Sequence, residues 1–201
     1  MFKKIVTALL ASAMLLSVAA CGKKPNEDVN NNQNEENNDA AQVEITDSLE
    51  LLNTVWALYA DEEKFPAAGG DYSEANMSMD GPGRYALSDA EAVQATLNFP
   101  AAEIAKIDDA ASLIHMMNLN TFTCGAYRTV EGTDMAALAK AIETQVMGNQ
   151  WMCGFPEKMF VASVGEYLVS AYGNGELIDN LKAKLTEAYP SAEVLFDQNI
   201  E

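Results

Sequence analysis

Apolar residues first fall at helical spacing after Asp47. Leu51, Leu52, Val55, Leu58 and Tyr59 share one stripe, and Asp47 with Glu50 has the form of a capping box. This predicts a helix over about 47–62, with Trp56 flanking its apolar face. Periodicity then lapses from Phe65 to Leu87, a stretch holding Pro66, Gly69, Gly70, Gly81, Pro82 and Gly83, which predicts a long loop. Ser88 with Glu91 opens a second helix to about Asn98, and Pro100 suits the first turn of a short one over about 101–108.

Beyond this point the pattern changes to strands. Ser112–Met117 fits a helix end or a short strand, and the Asn118-Leu119-Asn120 turn favours the strand. From Thr121 the residues alternate: Phe122, Cys124, Ala126 and Val130 on one face, Thr121, Thr123, Tyr127 and Thr129 on the other. Thr133 caps a helix with Met135, Leu138, Ile142 and Val146 on its stripe, ending at Gly148. Met159–Val164 and Tyr167–Tyr172 flank Gly165-Glu166, the form of a type II′ hairpin pairing Val164 with Tyr167, Ala162 with Val169 and Phe160 with Ala171. A last helix follows Asn174, carries Ile178, Leu181 and Leu185, and stops before Pro190. The tail adds an edge segment at Val194-Leu195-Phe196 or frays. This order predicts an α+β domain over 46–190, followed by a tail over 191–201. Its expected form is a small antiparallel sheet of about four strands with helices packed on one face, preceded by N-terminal helices.

Composition adds limits. Of 201 residues, 30 are acidic and 12 basic, a net charge of −18, which argues against nucleic acid as a partner because phosphate binding needs clustered Lys and Arg. Residues 1–20 read as a secretory leader: Lys3 and Lys4, an uncharged apolar run from Ile5 to Val18, then small residues before Cys21. Val18-Ala19-Ala20-Cys21 resembles the lipobox of bacterial lipoproteins, in which the Cys thiol takes a diacylglyceryl group and becomes the first residue. Two acyl chains give stable anchoring where one gives marginal binding. Without Lys3 and Lys4 the chain has 10 basic against 30 acidic residues, net −20, so Cys21 and its lipid, not a basic patch, would hold the bilayer. Residues 21–45 are rich in Asn and acids with few large apolar groups, the composition of a disordered tether. The expected location is therefore the extracytoplasmic face of the cell membrane.

Candidate chemistry is sparse. Cys124 and Cys153 either form a disulfide, which export permits, or stay as two buried thiols. His115, near Ser112, Asp108 and Asp109, lacks a nucleophile-elbow motif around any Ser and reads as a packed or surface histidine. Asp61, Glu62 and Glu63 read as a solvated helix end, and Asp71, Glu74 and Asp80 do not have the spacing of a calcium loop. Neither a metal nor a cofactor is expected. Trp151–Pro156 is richer in apolar groups than a connection requires, and is either a plug over the core or an exposed aromatic anchor. Set beside Tyr72, Arg84 and Tyr85, Trp151 and Phe155 would form a cleft of rings with one cation, the candidate ligand site.

The lipobox, the Asn- and acid-rich tether, Ala126-Tyr127-Arg128, the helix near 134–148, and Val161–Gly173 with its following helix together carry a resemblance. They resemble small lipoproteins of Gram-positive, clostridial-type bacteria in the group described as domain of unknown function 4358. The resemblance implies fold and location and no catalytic residue. The leading expectation is a non-enzymatic binding module tethered to the membrane, its partner a peptide, an envelope component or a membrane protein. The alternatives are a cell-envelope hydrolase and an accessory subunit of a membrane complex.

Overall fold

The computed structural model describes residues 44–200. The expected leader, the lipidated Cys21 and the tether as far as residue 43 lie outside the described residues. Ile45, placed in that tether by composition, packs on the core, and its carbonyl accepts from the Tyr167 hydroxyl at 3.1 Å.

The helices are set by their caps. α1, Ser48–Ala57, starts where the Asp47 carboxylate accepts from the Glu50 N–H at 2.8 Å. It is shorter than expected because Leu58 and Tyr59 donate to carbonyls three residues back, which tightens and ends the last turn. The Glu63 carboxylate then takes the Ala60 N–H at 2.8 Å and the chain turns away. α2, Ala90–Leu97, and α3, Met135–Met147, are capped by Asp89 and Asp134. The expected caps, Ser88 and Thr133, each give way to the aspartate that follows. A carboxylate accepts more strongly than a hydroxyl and complements the positive end of the helix. α4, Gly175–Ala188, is capped by Asn174.

The strands are β1 (Ala67–Ala68), β2 (Gly83–Arg84), β3 (Ile107–His115), β4 (Phe122–Thr129), β5 (Lys158–Val164), β6 (Tyr167–Gly173) and β7 (Glu193–Asn199). All pair antiparallel in one seven-stranded sheet of order β1-β3-β4-β6-β5-β7, with β2 also on β3. The domain is α+β, but the sheet exceeds the expected four strands. β1 and β2 lie inside the expected loop, and β7 is the expected tail, here an edge strand on β5. The β5–β6 hairpin has the expected register, and of its two turn residues Gly165 alone has positive φ, at 57°. Residues 101–106 form a 3₁₀ helix that leads directly into β3, a longer strand than Ser112–Met117.

Helices cover both faces, which corrects the expectation of one. β4 and β6 run antiparallel, and the crossovers β4-α3-β5 and β6-α4-β7 each step two places in the same direction across the sheet. Crossovers between parallel strands share one hand, so these two must place their helices on opposite faces. α1 and α4 pack over Leu113, Phe122, Cys124, Phe160 and Val169. α2 and α3 pack over Tyr127, Met159, Val161, Leu168 and Tyr172. Consecutive residues of β6 therefore all face a core, and every one is buried.

Candidate functional site

A groove opens at the end of the sheet where three connections meet. The first is the loop between β1 and β2. Its backbone folds tightly on itself: a Cβ on Gly69 would come within 2.2 Å of the Gly83 nitrogen, and one on Gly83 within 2.5 Å of Gly70. Ser112 on β3 steadies it by accepting the Gly70 N–H at 2.8 Å. Asp71 organises the turn, accepting from Ser73 Oγ at 2.6 Å, Asn76 Nδ2 at 2.8 Å and the Ala86 N–H at 3.2 Å. Partial burial raises its pKa, but these hydrogen bonds outweigh that and hold the carboxyl at about 2. A bridge between Gly69 and Ser78 places Met77 and Met79 on either side of a pinned residue.

The second connection joins β3 to β4. The Met116 N–H donates to the Pro66 carbonyl at 2.8 Å, and the Met117 N–H to His115 Nδ1 at 3.3 Å. The His115 ring stacks on Phe65 with centroids 5.6 Å apart. The third, leading from α3 to β5, is held by asparagines of the second. Asn118 Nδ2 donates to the Cys153 carbonyl at 3.1 Å, and Asn120 Nδ2 to the carbonyls of Met152 and Gly154 at 2.8 and 2.9 Å. These side-chain bonds hold the backbone turn at Cys153 and Gly154, both at positive φ.

The resulting groove has a volume of about 640 Å³, within the range of small-ligand sites. Met77, Met79, Met116, Met117 and Met152 line it, with Tyr72 and His115 on its wall. All five methionines are exposed, Met117 and Met152 at 78% and 79%.

The sequence-predicted cleft assembles differently. Tyr72 joins the groove, whereas Arg84, Tyr85, Trp151 and Phe155 are not among its lining residues. Arg84 forks between Asp47 at 2.8 Å and Asp109 at 2.7 Å, tying α1 to β2 and β3. It is a structural clasp, not a free cation for a ligand. Tyr85 is buried and bonds Thr96 Oγ1 at 2.9 Å. Trp151 packs against Tyr172, centroids 5.0 Å apart, so this end of the segment plugs the core. Phe155 is 79% exposed. Cys124 and Cys153 are free thiols, Cys124 in the core on one sheet face and Cys153 exposed on a loop. Burial alone pushes the Cys124 thiol far above its ordinary pKa, which leaves it inert.

Ser112 and His115, three apart on β3, point to opposite faces, so no triad forms from them. Asp109 is engaged by Arg84 and the Ser48 N–H, and Asp108 by Arg128 at 2.7 Å. Among the described residues no three His, Cys, Asp or Glu side chains gather as a metal-binding group. No helix among them is long and apolar enough to cross a membrane. None of the five groove methionines is among the site residues that the sequence suggests. The available signal was Met-Ser-Met at 77–79 and Met-Met at 116–117, in connections where a core has no claim on them. No family model matches the chain, and neither a curated protein nor a solved structure matches it.

Proposed function

We propose that the chain is a lipid-anchored, non-enzymatic binding module on the extracytoplasmic face of the cell membrane. Cys21 is the anchor and the methionine-lined groove is the ligand site. The observation that carries the binding role is the exposure of five thioether side chains in one concavity. Isolated exposed apolar residues are ordinary, but a contiguous apolar concavity marks a binding surface. Methionine suits such a surface because it is unbranched and adapts its shape to the ligand. The anchoring part rests on the lipobox-like leader and on the resemblance to clostridial-type lipoproteins.

The test uses a neutral apolar dye, Nile red, with the full chain in mild detergent and an excess of dye-free micelles as reference. Saturable one-to-one binding is expected, together with its loss in Met117→Glu/Met152→Glu. Both positions are so exposed that the substitutions leave folding intact. Binding that does not saturate, or that survives both glutamates, would remove the groove as the ligand site.

A further inference from the structure

We propose that the groove binds a soft monovalent metal ion, Cu(I), through the thioethers of Met77, Met79, Met116, Met117 and Met152, with the His115 imidazole on its wall. This rests on the groove being the ligand site and names the ligand. The donor set carries it. Five of the chain's ten methionines line this one groove, and all five are exposed, whereas Met159 is wholly buried in the core. Contact with hydrocarbon uses the pliant shape of methionine, which Leu and Phe only partly share, but makes no use of its sulfur. A thioether differs from them in its soft sulfur lone pairs, and thioethers select Cu(I) over the hard and borderline divalent ions. Those ions need carboxylates, imidazoles or thiolates, and no three such groups gather among the described residues.

The architecture allows convergence. The methionines come from three connections: the first is closed on itself by the Gly69–Ser78 bridge and held to β3 by Ser112, and the second and third are tied together by the Asn118 and Asn120 hydrogen bonds. Met77 and Met79 flank Ser78, the residue pinned by that bridge, and both reach the groove. Three side-chain torsions each let the sulfurs adjust around an ion while the backbone stays fixed. Electrostatics favours a cation as well, since the chain carries a net charge of −18. Thioethers hold no proton in water, so an ion bound through them is not displaced by acid as it is from thiolates or imidazoles.

The experiment uses the full chain in detergent with Cys153→Ser, which removes the exposed thiol as a competing soft donor. Methionine methyls are labelled with ¹³C and followed by NMR. Cu(I) under anaerobic ascorbate, and Ag(I) as a redox-inert probe, are titrated in. The expected result is one ion per chain, shifts at three or more groove methyls, and an unmoved Met159 methyl. Met77→Leu/Met79→Leu, which keeps the apolar shape, is expected to weaken ion binding at least about tenfold while still binding Nile red. Unmoved groove methyls at saturating ion, or unchanged affinity in the leucine variant, would each overturn the metal assignment. Failure of the ion with saturable dye binding intact refutes the ion alone. Failure of both refutes the groove.

Discussion

At the residue scale, single side chains decide whether the loop beside the groove stays folded. Asp71 gathers three partners, and its folded pKa of about 2 lies below the ordinary 3.8. A depressed carboxyl stabilises the fold fully above the unfolded value and loses that contribution as pH falls toward the folded one. Acid unfolding of the chain is therefore expected to draw on Asp71 between about pH 4 and pH 2. Asp71→Asn is expected to flatten the stability profile in that window, measured by urea melts at stepped pH, and an unchanged slope would contradict this role. Gly125 shows a different dependence. A Cβ there would lie 2.0 Å from the Tyr127 hydroxyl, and the Tyr127 ring is locked between the sheet and Phe99. Gly125→Ala is expected to cost about 1–3 kcal/mol in denaturant melts, the price of overpacking a tight core. Arg84 illustrates what sequence hides. A lone Arg in a loop looks free for a ligand, and only the fold brings Asp47 and Asp109 to it.

At the element scale, local chemistry was legible where it decides structure alone. The β5–β6 hairpin needed only its glycine turn and paired apolar residues. Helix stripes at Leu138, Ile142 and Val146, and at Ile178, Leu181 and Leu185, likewise point into their cores. Only the second half of β3 is legible, because Asp108 and Asp109 sit in the first half and aspartate is depleted in strands. They are tolerated there because a bulge between Ile107 and Asp109 frees Asp108 to meet Arg128, and Asp109 meets Arg84. The sequence allows β7 as an edge or a frayed end because its polar residues mask its pairing. Asp197 meets Lys158 and Lys182 at 2.8 and 2.5 Å, and Gln198 meets Glu143 at 2.9 Å, so these groups bind the strand to β5, α3 and α4. Truncation after Pro190 is expected to destabilise the chain well beyond the roughly 0.5 kcal/mol of a surface change and to promote aggregation through the bare β5 edge. Urea midpoints and sedimentation profiles measure both. A truncated chain that melts like the intact one and stays monomeric would mean that β7 adds nothing.

At the scale of the whole molecule, the number of layers follows from topology, not from any segment. The rule that fixes crossover hand sends α3 and α4 to opposite faces once the strand order is β4-β6-β5-β7. Pattern reading supplies helices and strands, but strand order arises from long-range pairing that no local window contains. The groove has the same origin. Its three connections are separated by some 75 residues between Met77 and Met152, and meet because the sheet stacks their ends together. Both the binding role and the metal rest on these methionines forming one open surface. Brief oxidation of the folded chain with dilute hydrogen peroxide, read residue by residue by peptide mass spectrometry, tests that surface directly. Oxidation is expected to be rapid at Met77, Met79, Met116, Met117 and Met152 and far slower at buried Met159. Oxidation of the five at the slow rate of Met159 would contradict the account.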